Sequence, residues 1–296
     1  MSRPLLSGLR STGDDRAALR AACEPEVGLC TILGIEGSFS RRVGAQLAVH
    51  ADGRITGSLA DGCLERQLAS EVQEARDAGM ARVRRFGKGS DLIDFRLPCG
   101  SGIDILIDPA PDRERCRKVA AALEGRQAAT LDLASERDFP GGAGLLRQRR
   151  YIPALRLLLF GEGPELAALS ALAGASGIAV EAFAADGQAL SLGQAPRDVA
   201  ADPWTAVVLL FHDHEWEQAL LEWALATPAF HIGAQGGAES RRIRHARLAA
   251  AGVADEGIAR ISSPIGLIPH AREPAVLALS VLAQIVGEYE ALHPHG

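Results

Sequence analysis

The stretch RLLLFGEGPEL, residues 156–166, decides the fold of the second half of this chain. An apolar run at 156–160 leads through two closely spaced glycines, Gly161 and Gly163, into an alanine-rich helical pattern at 164–176. A short strand that enters a helix through such a glycine turn is typical of Rossmann-like units. The sequence therefore predicts that an α/β domain begins here.

Strand and helix patterns alternate through the rest of the second half. Further apolar runs lie at 179–183, 206–211 and 229–232, and further helical patterns lie at 215–226, 240–251 and 273–290. This alternation predicts a parallel sheet with helices on both faces. Ligands of such sheets lie beyond the carboxyl ends of the strands, so the turns after these strands are the candidate site.

The first half has a different pattern, which predicts a small α+β domain. The elements in chain order are a helix at 14–23, strands at 28–34, 45–50 and 55–59, a helix at 64–78, and strands at 83–86 and 103–107. Asp52-Gly53 is a hairpin signal, and Gly79 is a helix stop. We therefore expect this α+β domain over 1–111, a connecting segment over 112–150 with a helix and some strand content, and the Rossmann-like domain over 151–296.

The composition excludes several classes of protein. A net charge of −6 and an aromatic content of 4% argue against a nucleic-acid partner. No run reaches about 18 uninterrupted apolar residues, and the first residues lack a secretory apolar region, so we expect a cytoplasmic protein without a membrane segment. Five cysteines without a CxxC pair suit a reducing compartment and argue against a zinc ribbon.

The glycine turn itself permits more than one interpretation. Gly161 and Gly163 would let the backbone approach a phosphate at the helix N-terminus. However, Leu166 occupies the third glycine position, Pro164 has no N–H group, and Asp186 falls late for the acid that binds a ribose. The turn therefore favours cofactor binding without hydride transfer. The alternatives are ordinary NAD(P) binding and a tight turn without a ligand.

Two histidines follow the apolar run at 206–211. His212 and His214 are two residues apart, so they would share a face if the strand continued through them. Imidazoles in such a place bind a metal, transfer protons or bind an anion. The alternative is that Asp213 or His214 caps the next helix.

Two further cysteines lie in glycine-containing turns. Cys63 follows Gly62 at the predicted start of a helix, and Cys99 precedes Gly100 in a loop. A helix N-terminus lowers the pKa of a thiol, so Cys63 would have thiolate character and could bind a soft metal. The alternative is that each is a small buried hydrophobic residue. The remaining cysteines, Cys23, Cys30 and Cys116, have apolar or helical surroundings that indicate a structural role.

Arginines also lie beside glycine turns. Arg41 and Arg42 follow Ser38 in the loop at 37–44, and Arg241 and Arg242 follow the glycines at 233–237. Guanidinium groups in such turns suit bidentate recognition of phosphate. The alternative is a solvated helix face.

Taken in order, these stretches resemble the XdhC/CoxI family, which serves molybdenum hydroxylases such as xanthine dehydrogenase. The segments that carry the resemblance are EGSFSRRVGAQL at 36–47, GSLADGCLE at 57–65, PCG at 98–100, HDH at 212–214, HIG at 231–233, SRR at 240–242 and SPIG at 263–266. The chain departs from the family in having Pro164 after Gly163, Asp61 before Gly62, and Ala238 after Gly237.

The resemblance implies a molybdenum cofactor-binding chaperone that assists sulfuration and insertion of the cofactor, rather than an enzyme. It implies an apo molybdenum hydroxylase and a cysteine desulfurase as partners, and we also expect a homodimer. The implied cofactor-binding residues are Ser38, Arg41, Arg42, Gly62, Cys63, Glu65, Cys99, Gly161, Gly163, His212, His214, Arg241 and Arg242, with Cys63 and Cys99 as metal ligands. The alternatives are an NAD(P)-dependent oxidoreductase and a non-catalytic assembly factor with a vestigial Rossmann domain.

Overall fold

The computed structural model describes residues 15–59, 62–90, 100–133, 144–185 and 190–293, without the side chains of Asp15 and Cys63. Contacts between residues divide the chain into two compact units, which meet in sequence at Ile152 and Pro153. Among the described residues, none of the helices is both long and apolar enough to cross a membrane.

Among its described residues, the first unit combines an antiparallel sheet with three helices and a two-stranded antiparallel pair. Its elements are α1 (Asp15–Ala21), β1 (Gly28–Glu36), β2 (Gln46–Val49), β3 (Ile55–Gly57), α2 (Cys63–Ala78), β4 (Arg82–Gly87), β5 (Gly102–Asp108), α3 (Arg113–Glu124), β6 (Ala129–Asp132) and β7 (Gln148–Tyr151). The order of strands in the main sheet is β3-β2-β1-β5-β4. The predicted α+β character of this half is confirmed.

Alternation along β1 gives this sheet two apolar faces. Cys30 and Ile32 pack in one core with residues of α2, and Leu29 packs in a second core with α1 and α3. Successive side chains of a strand point to opposite faces, so one strand supplies both cores. The region predicted as a connecting segment supplies α3, β6 and most of β7 to this unit, and its Leu131 is buried in the second core together with Tyr151, the residue that follows the segment.

The second unit is an α/β sandwich. Its elements are β8 (Arg156–Gly161), α4 (Gly163–Ala175), β9 (Ala179–Ala184), β10 (Thr205–Leu210), α5 (His214–Leu225), β11 (His231–Ala234), α6 (Ala238–Ala250), α7 (Asp255–Ile258), β12 (Ile261–Ser262) and α8 (Pro274–Ala291). Every residue of β10 is buried, as expected for a central strand covered on both faces.

The five strands of this unit are all parallel and lie in the order β12-β11-β10-β8-β9. The chain passes from β8 outward to β9 and then returns to β10 on the other side of β8. The direction of winding therefore reverses between β8 and β10, which is where open α/β sheets bind ligands. The predicted Rossmann-like sheet is confirmed, and the residues after these two strands form its switch point.

Candidate functional site

The turn after β8 needs both of its glycines for steric reasons. A Cβ atom at Gly161 would lie 2.5 Å from the carbonyl oxygen of Leu210, which belongs to the neighbouring strand. Gly163 has a φ of 75°, a left-handed conformation that other residues adopt only with strain. The next residue, Pro164, stands in the first turn of α4, where it removes one N–H group. The turn therefore has Rossmann geometry but fewer donors than a phosphate site provides.

The switch point brings together Glu165 and His212. The Oε2 atom of Glu165 lies 3.8 Å from Nε2 of His212, and the Glu165 side chain is only 14% exposed. That oxygen is buried and has no hydrogen-bond partner among the described residues. Because a buried acceptor without a donor is costly, this carboxylate is suited to accept a hydrogen bond from a ligand.

His214 lies in a different environment from His212. The strand ends at Leu210, Asp213 caps α5 by accepting a hydrogen bond from the Glu215 N–H group, and His214 is the first helical residue. Its Nδ1 atom is 2.9 Å from Oε2 of Glu217. The capping alternative is thus the observed one for Asp213, and the two imidazoles contact separate carboxylates.

Glu217 also forms a buried ion pair with Arg244. The guanidinium donates to both carboxylate oxygens, at 2.9 and 3.1 Å from Nη2, and to the hydroxyl of Ser263 at 2.8 Å. The cavity beside this pair measures about 10 Å³, room for one water molecule and not for a cofactor. This network therefore joins α5 to α6 and has no space for a large ligand.

The two arginines predicted on α6 are exposed. Arg242 is paired with Glu239 one turn earlier, at 2.6 Å, with both side chains about 70% exposed. Arg241 is exposed and has no ion-pair partner among the residues that the structure describes. The solvated-face interpretation fits Arg242, and Arg241 is exposed on the same helix.

In the first unit, the loop between β1 and β2 carries Ser38, Arg41 and Arg42. Ser38 is exposed, and both arginines are half-buried. The Nε atom of Arg41 is buried and has no hydrogen-bond partner in the described part of the chain. A buried guanidinium donor without an acceptor is a feature that an anionic ligand would satisfy. Arg42 has a partner within the fold.

The turn before α2 is held by one carboxylate. Glu65 is buried, and its two oxygens accept hydrogen bonds from the hydroxyl of Ser58, the N–H of Leu59 and the N–H of Gly62. Gly62 has a φ of 87° and directly precedes Cys63, the first residue of the helix. The predicted helix start at this cysteine is confirmed, and Glu65 fixes the backbone that leads to it.

The loop that contains Cys99 lies mostly outside the described residues, as does the Cys63 side chain. Ser101, at the described end of this loop, is buried and lies beside Gly37. A Cβ atom built on Gly37 would lie 3.5 Å from the Cα atom of Ser101. The described end of this loop thus contacts the start of the arginine loop. Within the described residues, no three Cys, His, Asp or Glu side chains are grouped as metal ligands.

Two of the other cysteines are kept in the un-ionised thiol form by their burial. Cys30 and Cys116 are both fully buried and are not in disulfides. Burial raises the pKa of the Cys116 thiol to about 12 and raises that of Cys30 as well. Both thiols are therefore neutral at physiological pH, as expected for structural cysteines.

Sequence reasoning missed two side chains of the switch point. Glu165 lies beside the glycines that dominate the turn pattern, and Gln235 follows β11, next to β10 in the sheet. The Oε1 atom of Gln235 is also buried without a partner in the described structure. A polar residue within four positions of the end of a strand of the parallel sheet is the signal that could have identified them.

The fold and these loops define a class of protein. It consists of an α+β unit, whose turns contain glycine, arginine and cysteine residues, followed by a Rossmann-type domain. Models of two domains match the chain, the XdhC and CoxI family over residues 21–87 and the XdhC Rossmann domain over residues 157–285. The chain belongs to the XdhC and CoxI family.

The relatives agree with this assignment. The molybdenum cofactor insertion chaperone PaoD of Escherichia coli is 32% identical over 93% of this chain and 88% of its own length. A protein of Bacillus subtilis described as a probable xanthine dehydrogenase subunit is 24% identical, over 89% of this chain and 93% of its own. A crystal structure of a xanthine dehydrogenase from Bacillus halodurans superposes with a TM-score of 0.68 at 20% identity, covering 95% of this chain and 97% of that one, which shows a shared fold.

Proposed function

We propose that this chain is a chaperone that binds the molybdenum cofactor and inserts it into a partner enzyme. The observation that carries the proposal is the similarity of nearly the whole chain to PaoD, a molybdenum cofactor insertion chaperone. The structural support is the unsatisfied donor of Arg41 in a glycine loop of the family domain. A phosphate-bearing cofactor would supply the missing acceptor.

The residues of the first unit fit the chemistry of this cofactor. Its phosphate is an anion, which Arg41, Ser38 and Arg42 could hold through charged and neutral donors. Cys63, at a helix N-terminus, would carry a thiolate suited to a soft metal, and Cys99 is proposed as a second such ligand. When bound, the cofactor supplies the molybdenum centre that the partner enzyme uses.

Glu65 has a positioning role in this proposal. Its carboxylate already accepts three hydrogen bonds from the turn at 58–62. We therefore assign it to holding Gly62 and Cys63 in place rather than to contacting the cofactor. The conformation of Gly62, which favours glycine, serves the same purpose.

The finer parts of the proposal concern partners. The chain would receive sulfur for the cofactor from a cysteine desulfurase and deliver the cofactor to an apo molybdenum hydroxylase resembling xanthine dehydrogenase. It would act as a non-catalytic homodimer in the cytoplasm. The Bacillus subtilis relative, by its description as part of a xanthine dehydrogenase, supports the class of target enzyme.

Anaerobic purification followed by molybdenum and pterin analysis tests the proposal. The wild-type protein, expressed in cells that make the cofactor, should contain molybdenum and a pterin that fluoresces after oxidation. Cys63→Ala and Arg41→Gln should each lower both contents by about tenfold, since each removes a charged interaction.

Arg54→Gln is the matched control, because Arg54 lies in the neighbouring hairpin and is 61% exposed beside Asp52. Its cofactor content should equal that of the wild type. Absence of both molybdenum and pterin from the wild-type protein, also after loading in vitro, would refute the proposal. Tight association with a hydroxylase without any pterin would instead support the assembly factor with a vestigial Rossmann domain.

A further inference from the structure

The carboxyl end of the parallel sheet is rich in hydrogen-bond acceptors. Glu165 follows β8 and Gln235 follows β11, and each has a buried side-chain oxygen without a hydrogen-bond partner among the described residues. His212 follows β10, the strand between β8 and β11, and lies 3.8 Å from Glu165. Unsatisfied acceptors at a switch point call for a ligand that presents N–H groups.

The buried Glu165 oxygen lies close to Gly163, a residue at the surface of the second unit. Gly163 is exposed, and a Cβ atom placed there would lie 3.5 Å from Oε2 of Glu165 with no closer neighbour. A ligand atom that occupies the position of this missing side chain would therefore be in contact range of the carboxylate. The glycine leaves this position free of a side chain, and the glutamate provides the polar partner.

A phosphate is a poor ligand for this turn. Pro164 has no N–H group, and Glu162 and Glu165 place negative charge beside the helix N-terminus where a phosphate would bind. Arg242 and Arg244 on α6 are already paired with Glu239 and Glu217. The two glutamates of this turn therefore disfavour an anion and favour a ligand that donates hydrogen bonds.

We propose that Glu165 binds the N–H edge of a 2-amino-4-oxopyrimidine ring, as found in a pterin. The ring N–H and the exocyclic amino group of this edge are two parallel donors, which match the two oxygens of a carboxylate. His212 follows the adjacent strand β10, and Gln235 follows β11, the strand beyond it. This inference concerns the second unit by itself and rests on the proposed function, since a pterin ring is part of the cofactor named there. Guanine has the same edge, so a guanine nucleoside is the other possible source.

Binding of neopterin to the full chain, purified without cofactor, tests the inference. Titration by pterin fluorescence should give saturable binding to the wild type, and Glu165→Gln should weaken it by about tenfold to a hundredfold, because an amide offers only one acceptor. Glu162→Gln is the control, since this residue is exposed and lies in the same turn. It should bind as the wild type does. Equal melting temperatures of the three proteins would exclude misfolding.

Nucleosides distinguish the two sources of the ring. Adenosine lacks the edge and should not compete with neopterin, whereas guanosine should compete more weakly than neopterin itself. Binding of guanosine alone would overturn the assignment to a pterin. Equal affinity of neopterin for the wild type and Glu165→Gln would overturn the role of Glu165. Neither result depends on molybdenum content, so failure here is separate from failure of the proposed chaperone function.

Discussion

The Nε2 atom of His212 lies 3.8 Å from the Oε2 atom of Glu165, at the point where the winding of the parallel sheet reverses. In dinucleotide-binding domains a pyrophosphate lies on the helix N-terminus at this place. Here a carboxylate and an imidazole meet there instead. The switch point therefore retains Rossmann geometry while its chemistry has changed.

The first prediction is that the protein does not bind NADH or NADPH. Pro164 and Glu165 weaken the phosphate cradle, and Ala184 ends β9 where a ribose-binding acid is expected, with residues 186–189 outside the described structure. When the protein is titrated with either nucleotide to about 1 mM, the fluorescence of the reduced nicotinamide should show no enhancement. A saturable enhancement would contradict this prediction and revive the oxidoreductase alternative.

The second prediction concerns the buried pair of Glu217 and Arg244. Glu217→Gln leaves a buried guanidinium without its charge partner, which should lower the free energy of unfolding of the second unit by about 3–5 kcal/mol. All three tryptophans, Trp204, Trp216 and Trp223, lie in this unit, so urea unfolding followed by tryptophan fluorescence reports on it directly.

Arg242→Ala is the control for that measurement. This arginine forms an exposed pair with Glu239 on the same helix, and its loss should cost less than about 1 kcal/mol. The double variant Glu217→Leu, Arg244→Met should recover part of the stability, because it leaves no unpaired buried charge. Equal losses in Glu217→Gln and Arg242→Ala would show that the buried pair contributes no more than a surface pair.

The fold could be predicted from the sequence because its signals are local. The hairpin signal Asp52-Gly53 lies between the antiparallel strands β2 and β3, and Gly79 ends α2 in a left-handed conformation, both as predicted. The missed elements, α7 and β12, have four and two residues, too few to show a periodic pattern.

The candidate site was only partly predictable, because it depends on the order of the strands. Glu165 and His212 are far apart in sequence and meet only because β8 and β10 are neighbours. The prediction that His212 and His214 share a strand face assumed that the strand continued, whereas it ends at Leu210. Whether a buried arginine is paired, as Arg244 is, also depends on tertiary contacts that no local pattern encodes.

The third prediction is that Glu65→Ala loosens the turn before α2. The variant loses hydrogen bonds to Ser58, Leu59 and Gly62, and a hydrogen bond to a charged group is worth about 1.5–3 kcal/mol. Amide hydrogen exchange measured by mass spectrometry should accelerate in this turn and in the first turn of α2. Ser58→Ala removes one of these bonds and should have a much smaller effect. Unchanged exchange in Glu65→Ala would show that the carboxylate does not hold the turn.

The fourth prediction is a loss of stability at alkaline pH caused by Cys30 and Cys116. Burial raises the pKa of both thiols in the folded state, for Cys116 to about 12. Below a pH of about 8.5, thiols are protonated in the folded and unfolded states alike, so they have no effect. Above it, only the unfolded state ionises, so stability falls by up to about 1.4 kcal/mol per pH unit for each thiol.

Urea unfolding at several pH values between about 8 and 10, followed by circular dichroism, measures this dependence. The double variant Cys30→Ala, Cys116→Ala should be less stable than the wild type at neutral pH but should lose less stability as pH rises. An identical slope in both proteins would contradict the prediction. The other cysteines, the two tyrosines and the two lysines titrate in both proteins, so the difference between the two slopes reports on Cys30 and Cys116.

The fifth prediction is that self-association depends on the exposed apolar surface of the closing helix. Val276 and Leu279 of α8 are 39% and 56% exposed, and the preceding loop adds Leu267 and Ile268, at 64% and 44%. Hydrogen bonds from the N–H groups of Leu267 and Ile268 to Ser280 hold this loop against α8, so the four side chains form one patch.

Contiguous exposed apolar patches are typical of interfaces, and light scattering should therefore give the mass of a dimer for the wild type. Leu279→Glu should give a folded monomer, since a charge buried in an apolar interface is unfavourable, whereas Met80→Glu, at a site on the first unit that is 66% exposed, should remain a dimer. A monomeric wild type, or a dimeric Leu279→Glu, would show that this surface does not mediate self-association.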